Sequence, residues 1–258
     1  MSILVGTSGW QYSAWREVLY RPGLPQSRWL ERYGECFDTV ENNNAFYRLP
    51  TPEVFGKWRD QTPDGFVMAV KASRFLTHIK RLRDPEEPVG RLLHAADNLG
   101  GKLGPILLQL PPALRADPDR LERCLRCFPA RVRVAVEPRH DSWWTTEVRD
   151  VLARHGAALC WADRLGRPLM PLWRTAEWAY VRFHEGAATP WPGYGDQALR
   201  AWVGRIGDIR GNGGDAYVYF NNDPGGAAVR NAARFAELAR TAGLRVSRTP
   251  TLASTATR

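Results

Sequence analysis

The sequence predicts an α/β protein: a TIM-like (β/α)8 barrel formed by a single domain. Eight short apolar runs alternate with helical patterns at a spacing of roughly 30 residues, which is typical of parallel βα units that close into a barrel. An open doubly wound sheet is the alternative, and it would need a glycine-rich phosphate turn after the first strand. The turn Gly6-Thr7-Ser8-Gly9 is too short a match, and bulky Trp10 follows it.

Each apolar run is short and leads into a turn or a polar residue. Continuous apolar runs of this length are typical of strands buried on both faces, as in parallel sheets. The predicted strands are, in chain order, Ile3–Ser8, Asp38–Asn43, Phe66–Ala72, Pro105–Leu110, Arg133–Glu137, Ala158–Asp163, Trp178–His184 and Asp215–Asp223.

Helical spacing and capping residues place helices between most of these strands. Asp84 and Asp117 each precede a proline, which predicts a capping residue followed by the first helical position. The link Arg164–Glu177 contains Pro168 and Pro171, so we expect an irregular connection between strands six and seven. The predicted helices are Ser27–Cys36, Thr51–Gln61, Asp84–Leu99, one that begins at Asp117, Trp143–His155, Asp196–Ile206 and Gly225–Ala242.

No linker divides the 258 residues, so we predict one domain over residues 1–243 and a polar, poorly ordered tail over 244–258. No apolar run approaches the ~20 residues needed to cross a bilayer. The N-terminus lacks the charged and apolar regions of a signal peptide. These features predict a cytoplasmic protein without membrane association, and they leave its oligomeric state open.

The formal net charge is +9 and the sequence pI is about 9.8. Such a balance favours anionic ligands or nucleic acid, although the basic residues are mostly arginines spread along the chain and form no block. Cys124 and Cys127 lie in a helical pattern, and no second cysteine pair completes a zinc site.

Polar residues follow nearly every predicted strand at its carboxyl end, which in a TIM-like barrel is the mouth that holds the active site. Each has a structural explanation by itself, such as a helix cap or an ion pair between Glu41 and Lys71. Together they predict a functional pocket, because burying about ten unpaired polar groups would cost several kcal/mol each. The candidate catalytic residues are Glu41, Lys71, Glu137 and His140. The candidate substrate-binding residues are Asn43, His78, Gln109, Arg139, Asp163, Arg182, His184 and Asn222.

These residue types favour acid/base chemistry on an anionic substrate. Either Glu41 or Glu137 is a candidate base, and Lys71 or His140 a candidate acid. Arg139 and Arg182 suit a phosphate or carboxylate group. The sequence has no His-x-His or His-Glu-x-x-His spacing, and cationic neighbours would oppose a metal ion, so we predict neither a metal nor another cofactor.

Several ordered motifs resemble one known family across nearly the whole chain. They are Val5–Trp10, Thr39-Val40-Glu41-x-Asn43, Phe46–Pro50, Val70–Ala72, Thr77-His78, Lys102–Pro112, Glu137-x-Arg139-His140-x-Ser142-Trp143, Tyr180-Val181-Arg182-x-His184 and Phe220–Asp223. In these segments the chain is similar to the YecE-like family, a domain of unknown function. The resemblance implies a TIM-barrel-like fold and supplies no reaction. The family's barrel is similar in outline to that of apurinic endonucleases, whose metal-ligand pattern this sequence does not reproduce.

Three functions therefore stand as hypotheses. The first is an enzyme of the hydrolase or lyase class acting on a phosphorylated or nucleotide-like small molecule. The second is nucleic-acid binding or phosphodiester processing, by analogy with the apurinic-endonuclease-like barrels and because of the charge and the aromatic residues of the mouth loops. The third is a binding module without catalysis.

Overall fold

Eight parallel strands form a nearly closed barrel in the computed structural model, which describes residues 2–210 and 214–251. The predicted TIM-like barrel is thereby confirmed. The strands are β1 (Ile3–Thr7), β2 (Thr39–Asn42), β3 (Val67–Lys71), β4 (Leu103–Gln109), β5 (Val134–Glu137), β6 (Ala158–Arg164), β7 (Arg167–Pro168), β8 (Ala179–Glu185) and β9 (Ala216–Phe220). Their order in the sheet is β1-β9-β8-β6-β5-β4-β3-β2, and the short β7 pairs antiparallel with β6 outside this path.

The barrel closes where β1 meets β2. Ser8 and Glu41 form a parallel bridge there, and the Gly9 amide donates to the Glu41 carbonyl at 2.8 Å. Gly6 makes this approach possible, because a Cβ at that position would lie 2.3 Å from the Thr39 carbonyl oxygen. The glycine is therefore needed for backbone contact rather than for a turn.

Helices pack against the outside of the strands and fill most of the predicted positions. They are α1 (Trp29–Cys36), α2 (Asn44–Tyr47), α3 (Pro52–Asp60), α4 (Glu86–Ala96), α5 (Pro118–Arg126), α6 (Thr146–Arg154), α7 (Asp196–Arg210) and α8 (Ala227–Thr241). Over the ranges described, none of these helices is both long enough and apolar enough to span a bilayer.

Two predicted helix starts differ in outcome. Asp117 caps α5 as predicted, since its Oδ1 accepts from the Arg120 amide at 2.9 Å. The predicted cap at Asp84 is wrong: α4 begins at Glu86 without a side-chain cap. Asp84 has a φ of 41°, a left-handed backbone conformation that differs from the extended one a capping residue adopts.

The link between β6 and β8 is irregular, as predicted, and contains β7 in place of a helix. Thr175 joins this link to the start of β6 by two hydrogen bonds. Its hydroxyl accepts from the Leu159 amide at 2.8 Å and donates to the Ala157 carbonyl at 2.7 Å.

Side chains alternate between two apolar regions along each strand, as the two-residue period of a strand requires. Outward residues such as Val5, Val40 and Phe220 pack under the helices. The inward residues fill the barrel with a mixture of small and large side chains. They include Ala69, Leu107, Ala135, Cys160, Trp178, Tyr180, Tyr217 and Tyr219.

The described part of the segment predicted as a tail is bonded to the barrel. The Ser247 amide donates to the Ile3 carbonyl at 2.9 Å, and the Ser247 hydroxyl accepts from the Val5 amide at 3.0 Å. Arg248 pairs with Asp38 at 2.7 Å. Residues 252–258, the remainder of the predicted tail, lie outside the described residues.

Candidate active site

Five strands end in a polar side chain that belongs to the inward-facing series. Glu41 ends the inward row of β2, Lys71 that of β3, Gln109 that of β4, Glu137 that of β5, and Arg182 lies one layer above Tyr180 on β8. Each of these residues is two positions beyond another inward residue, which is Thr39 on β2 and an apolar or aromatic side chain on the other four strands. The five therefore form one polar layer above the barrel interior. The structure therefore brings together residues that are far apart in the sequence.

Arg182 lies at the centre of this layer and joins two carboxylates. Its Nη2 is 2.8 Å from Glu41 Oε1, and its Nη1 is 2.6 Å from Glu137 Oε2. The Tyr180 hydroxyl donates to the second Glu41 oxygen at 2.7 Å. All three charged side chains are at most 2% exposed. An ion cluster so deeply buried is stable only when each partner stays paired.

Both carboxylates are held in their ionised form. Burial raises the pKa of Glu137, but Arg182, His184 and Arg139 together outweigh it and hold the pKa well below its usual range. Burial likewise raises the pKa of Glu41, and the pair with Arg182 turns the net shift downward. The two glutamates therefore remain charged at neutral pH.

His184 connects the buried cluster to the cavity. Its Nε2 is 2.8 Å from Glu137 Oε1, and its Nδ1 is 3.2 Å from Asn221 Nδ2. Burial lowers the pKa of His184 despite the neighbouring Glu137. A neutral ring that donates from Nε2 and accepts at Nδ1 satisfies both contacts. Arg139 lies beside it and donates to the same Glu137 oxygen at 3.1 Å.

Lys71 is the cation of this layer that no carboxylate neutralises directly. Across the described residues, its Nζ has no ion-pair partner and no hydrogen-bond acceptor. It lies 4.0 Å from the centre of the Phe46 ring, a cation–π distance. Burial, and then the charge of Arg182, lower the pKa of Lys71 to about 8. Its proton is therefore the most easily exchanged of those on the cationic side chains here.

Two adjoining cavities open above the polar layer. The first has a volume of about 560 Å³, and the charged residues that line it are Lys71, Arg139 and Arg182, all of them cations. The second has a volume of about 520 Å³ and is lined by Glu137 and His184 among others. Arg139 and Asn221 line both. We call them the first and second lobes of the mouth.

Unpaired amide groups also line the first lobe. Gln109 is 6% exposed, yet its side-chain amide bonds to nothing in the described ranges. Asn43 Oδ1 is buried and likewise lacks a partner there. The Gln109 amide is therefore available to pair with a ligand in the first lobe.

Four of the predicted site residues lie elsewhere. His140 accepts from the Ser142 amide at 3.1 Å and caps a short turn, and it lines neither lobe. Asp163 accepts from Trp202 Nε1 at 2.7 Å, on the helix side of β6. The remaining two are Asn222, whose amide donates to Asn231 at 2.8 Å, and His78, whose ring packs edge-on against Phe46.

The two-residue alternation of a strand explains the positions of Asp163 and Asn222, whereas His78 and His140 lie outside the strands. Asp163 and Asn222 are one residue away from the inward series, whose members at those strand ends are Ala162 and Asn221. A shift of one residue moves a side chain to the opposite face of the sheet. The same alternation predicts that Tyr180, two residues before Arg182 on β8, also faces inward, although it is not among the candidate site residues predicted from the sequence. Phe46 gave no comparable signal, because it lies on the short helix α2.

The protonated Lys71 is expected to destabilise the folded protein, so Lys71→Met should raise the free energy of unfolding by about 2 kcal/mol at pH 7. Its folded pKa of about 8 lies below the 10.5 of a free lysine. The unfolded chain therefore holds more protons between these values, and the gain should be complete below pH 8 and fall as the pH rises towards 10.5. Urea denaturation at pH 7 and pH 9.5 measures both quantities. A variant less stable than the parent at pH 7 would contradict this expectation.

Other sites have weaker support. A cavity of about 960 Å³ lies at the amino ends of the strands, but its Arg133 and Asp215 pair with each other at 3.2 Å. No cluster of three or more His, Cys, Asp or Glu side chains with metal-binding geometry occurs within residues 2–210 and 214–251.

Comparisons with known proteins agree with this architecture. The family described as "Protein of unknown function DUF72" matches residues 4–256. The UPF0759 protein YecE of Escherichia coli strain K12 is 31% identical over 143 residues, which cover 55% of this chain and 50% of YecE. The chain thus matches about half the length of YecE.

Two further relatives match along most of their length. The UPF0759 protein YunF of Bacillus subtilis strain 168 is 25% identical over 268 aligned residues, which cover 92% of this chain and 94% of YunF. The crystal structure of a DUF72 family protein from Thermotoga maritima superposes with a TM-score of 0.81 at 26% identity, covering 93% of this chain and 100% of that one.

Proposed function

This chain belongs to the DUF72 family, whose description names no activity, and from that premise we propose a function on the geometry of the mouth. We propose that the first lobe binds an anionic small molecule, such as a phosphorylated or nucleotide-like compound. The bound molecule undergoes proton-transfer chemistry of the hydrolase or lyase class.

One observation carries the proposal: the charged residues that line the first lobe are cations, while the carboxylates of the layer lie beneath or beside it. Arg182 is already neutralised by Glu41 and Glu137. Lys71 and Arg139 therefore supply the positive charge that an anion would meet. Arg139 is suited to a bidentate contact, because its side chain is 39% exposed and a guanidinium matches phosphate and carboxylate geometry.

Lys71 is the residue best placed to exchange a proton with the substrate. At pH 7 it is mostly protonated and suits a general acid, and the neutral fraction that exists near its pKa of about 8 suits a base. Glu137 accepts hydrogen bonds from Arg182, His184 and Arg139, so it serves better as a fixed electrostatic partner than as a base.

Removing either Lys71 or Arg139 should weaken anion binding. Arg139→Met is expected to raise the Kd for inorganic phosphate or glycerol 3-phosphate about tenfold, since a charged hydrogen bond contributes about 1.5–3 kcal/mol. Isothermal titration calorimetry of the parent and variant proteins measures this change. Lys57→Met is the matched control, because Lys57 is an exposed lysine on α3 outside the mouth.

A parent protein that binds neither probe would count against the anion site.

Turnover separates an enzyme from a binding module: a panel of phosphate esters and carboxylates is followed by NMR with the parent protein and with Lys71→Met. The loss of a general acid or base should slow a reaction by about 10²–10⁴-fold. Equal rates in both proteins would remove Lys71 from the chemistry.

Nucleic-acid binding is the second candidate, and the exposure of Tyr47 favours it. This ring lines the first lobe and is 81% exposed, so a base can stack on it. Binding of a single-stranded oligonucleotide should then weaken steeply with salt and be lost in Tyr47→Ala. If the oligonucleotide does not bind even at a low salt concentration of about 20 mM, this candidate is excluded.

A further inference from the structure

We propose that Lys71 forms an imine with the carbonyl carbon of a small phosphorylated aldehyde or ketone that carries a neighbouring hydroxyl group. This inference rests on the proposed anion site and names the substrate class of the first lobe. It differs from simple proton transfer because it gives the amine a covalent role.

The choice of residue at this position supports the proposal. Four of the 36 basic residues are lysines, and the chain otherwise uses arginine. The other three have ordinary surroundings: Lys102 donates to two backbone carbonyls, Lys80 pairs with Asp84, and Lys57 is exposed. Arginine would bind an anion at least as well as lysine, but it cannot lose a proton and act as a nucleophile. A lysine in the first lobe therefore indicates a task beyond anion binding.

The surroundings of Lys71 make its neutral amine easier to form than that of an exposed lysine. The charged groups that act on it are Glu41 of β2, Glu137 of β5 and Arg182 of β8, together with Arg139 in the loop after β5. The two carboxylates would favour the ammonium form, but Arg182 occupies both of them. Lys71 also contacts the Phe46 ring and lines the first lobe. Lysines activated for imine chemistry are typically desolvated and lie near another cation, which matches this arrangement.

The step balances without a further reactant. The lone pair of the neutral amine attacks the carbonyl carbon, a carbon–nitrogen bond forms, and the carbonyl π electrons move to oxygen. The two amine protons are transferred to this oxygen, which leaves as one molecule of water when the carbon–nitrogen double bond forms. Water lost in this way can leave through the open mouth.

The Gln109 amide and Arg139 define the rest of the substrate. Gln109 offers two N–H donors and one acceptor oxygen, so a hydroxyl group next to the carbonyl can accept from this amide or donate to it. Arg139 lies at the junction with the second lobe and suits the phosphate. The lobe of about 560 Å³ accommodates a molecule of a few carbons with a phosphate group.

Reductive trapping tests the imine directly. Dihydroxyacetone phosphate is the probe, and glycerol 3-phosphate is its matched control, because the two differ only in the carbonyl group. With sodium cyanoborohydride, the protein mass should increase by the mass of the ketone less one oxygen atom. Peptide mapping should place the increment on Lys71 and leave exposed Lys57 unlabelled. Excess glycerol 3-phosphate should suppress labelling, and Lys71→Arg, which keeps the charge, should abolish it.

Each other outcome overturns a defined part of the inference. If both probes bind and Arg139→Met weakens both, yet no increment forms on Lys71, the imine is excluded and the anion site stands. Labelling of Lys57 to the same extent as Lys71 would show ordinary surface chemistry and also exclude it. If neither probe binds, the anion site falls and the imine with it. The competition experiment uses the parent protein, so these conclusions do not depend on whether Lys71→Arg folds.

Discussion

Arg182→Met is expected to lower the free energy of unfolding by about 3–5 kcal/mol at pH 7, because it leaves Glu41 and Glu137 buried without their shared cation. Both carboxylates are at most 2% exposed, and Arg182 is within 2.8 Å of each. Methionine fills a similar length of the barrel interior, so the loss reflects charge more than volume. Urea denaturation monitored by circular dichroism measures the change.

The stability of the parent and that of Arg182→Met should change in opposite directions as the pH falls. In the parent protein the pKa values of both glutamates are lowered, so their contribution to stability is present above the pKa of an unfolded glutamate and is lost as the pH falls through their folded values. In Arg182→Met, the strongest charge that lowers the pKa of both glutamates is gone, while burial, which raises their pKa, remains the largest influence. The variant should therefore gain stability between pH 7 and pH 5, while the parent does not.

Two comparisons test the cause of the effect. Arg139→Met removes a 39% exposed partner of Glu137 and should change stability by about 1 kcal/mol or less. Combining Arg182→Met with Glu41→Gln and Glu137→Gln should recover much of the loss, because no buried carboxylate is then left without its cation. A single Arg182→Met variant as stable as the parent would show that the cluster contributes nothing to folding.

Gly6→Ala should destabilise the protein by about 3 kcal/mol, at the upper end of the range for overpacking a core. The added methyl carbon would lie 2.3 Å from the Thr39 carbonyl oxygen and 3.0 Å from its carbon, so β1 and β2 would have to separate. That movement opens the barrel beside the Ser8–Glu41 bridge. Thermal and urea denaturation should both show the loss, and ligand affinity at the mouth should fall with it.

Gly56→Ala is the matched control for this substitution. Gly56 lies inside α3, and an added Cβ would meet no atom within 4 Å. The change should therefore be neutral or stabilise by up to about 1 kcal/mol, since alanine is the better helix former. If Gly6→Ala were equally neutral, the close approach of β1 and β2 would not control the closure of the barrel.

The sequence predicted the barrel because its evidence is local and repeated. Eight apolar runs alternate with seven helical patterns, and a single misplaced boundary, such as the cap expected at Asp84, does not alter the count. It also predicted that Glu41, Lys71, Glu137 and Arg182 share one mouth, since parallel strands place their carboxyl ends on the same side. The sequence did not reveal which of two adjacent polar residues faces inward. Asn222 was predicted to bind the substrate, but its neighbour Asn221 lines the cavity.

The amino-acid sequence by itself determined the order of the elements, the fold class and the supply of charged residues at the strand ends. Only the tertiary structure decided which of those charges pair: Arg182 neutralises both glutamates, and Lys71 has no ion-pair partner among the described residues and lines the first lobe. The reason is physical. Strand patterns act over a few neighbouring residues, whereas the pairing of β2, β5 and β8 side chains depends on distances across the barrel that no local pattern contains.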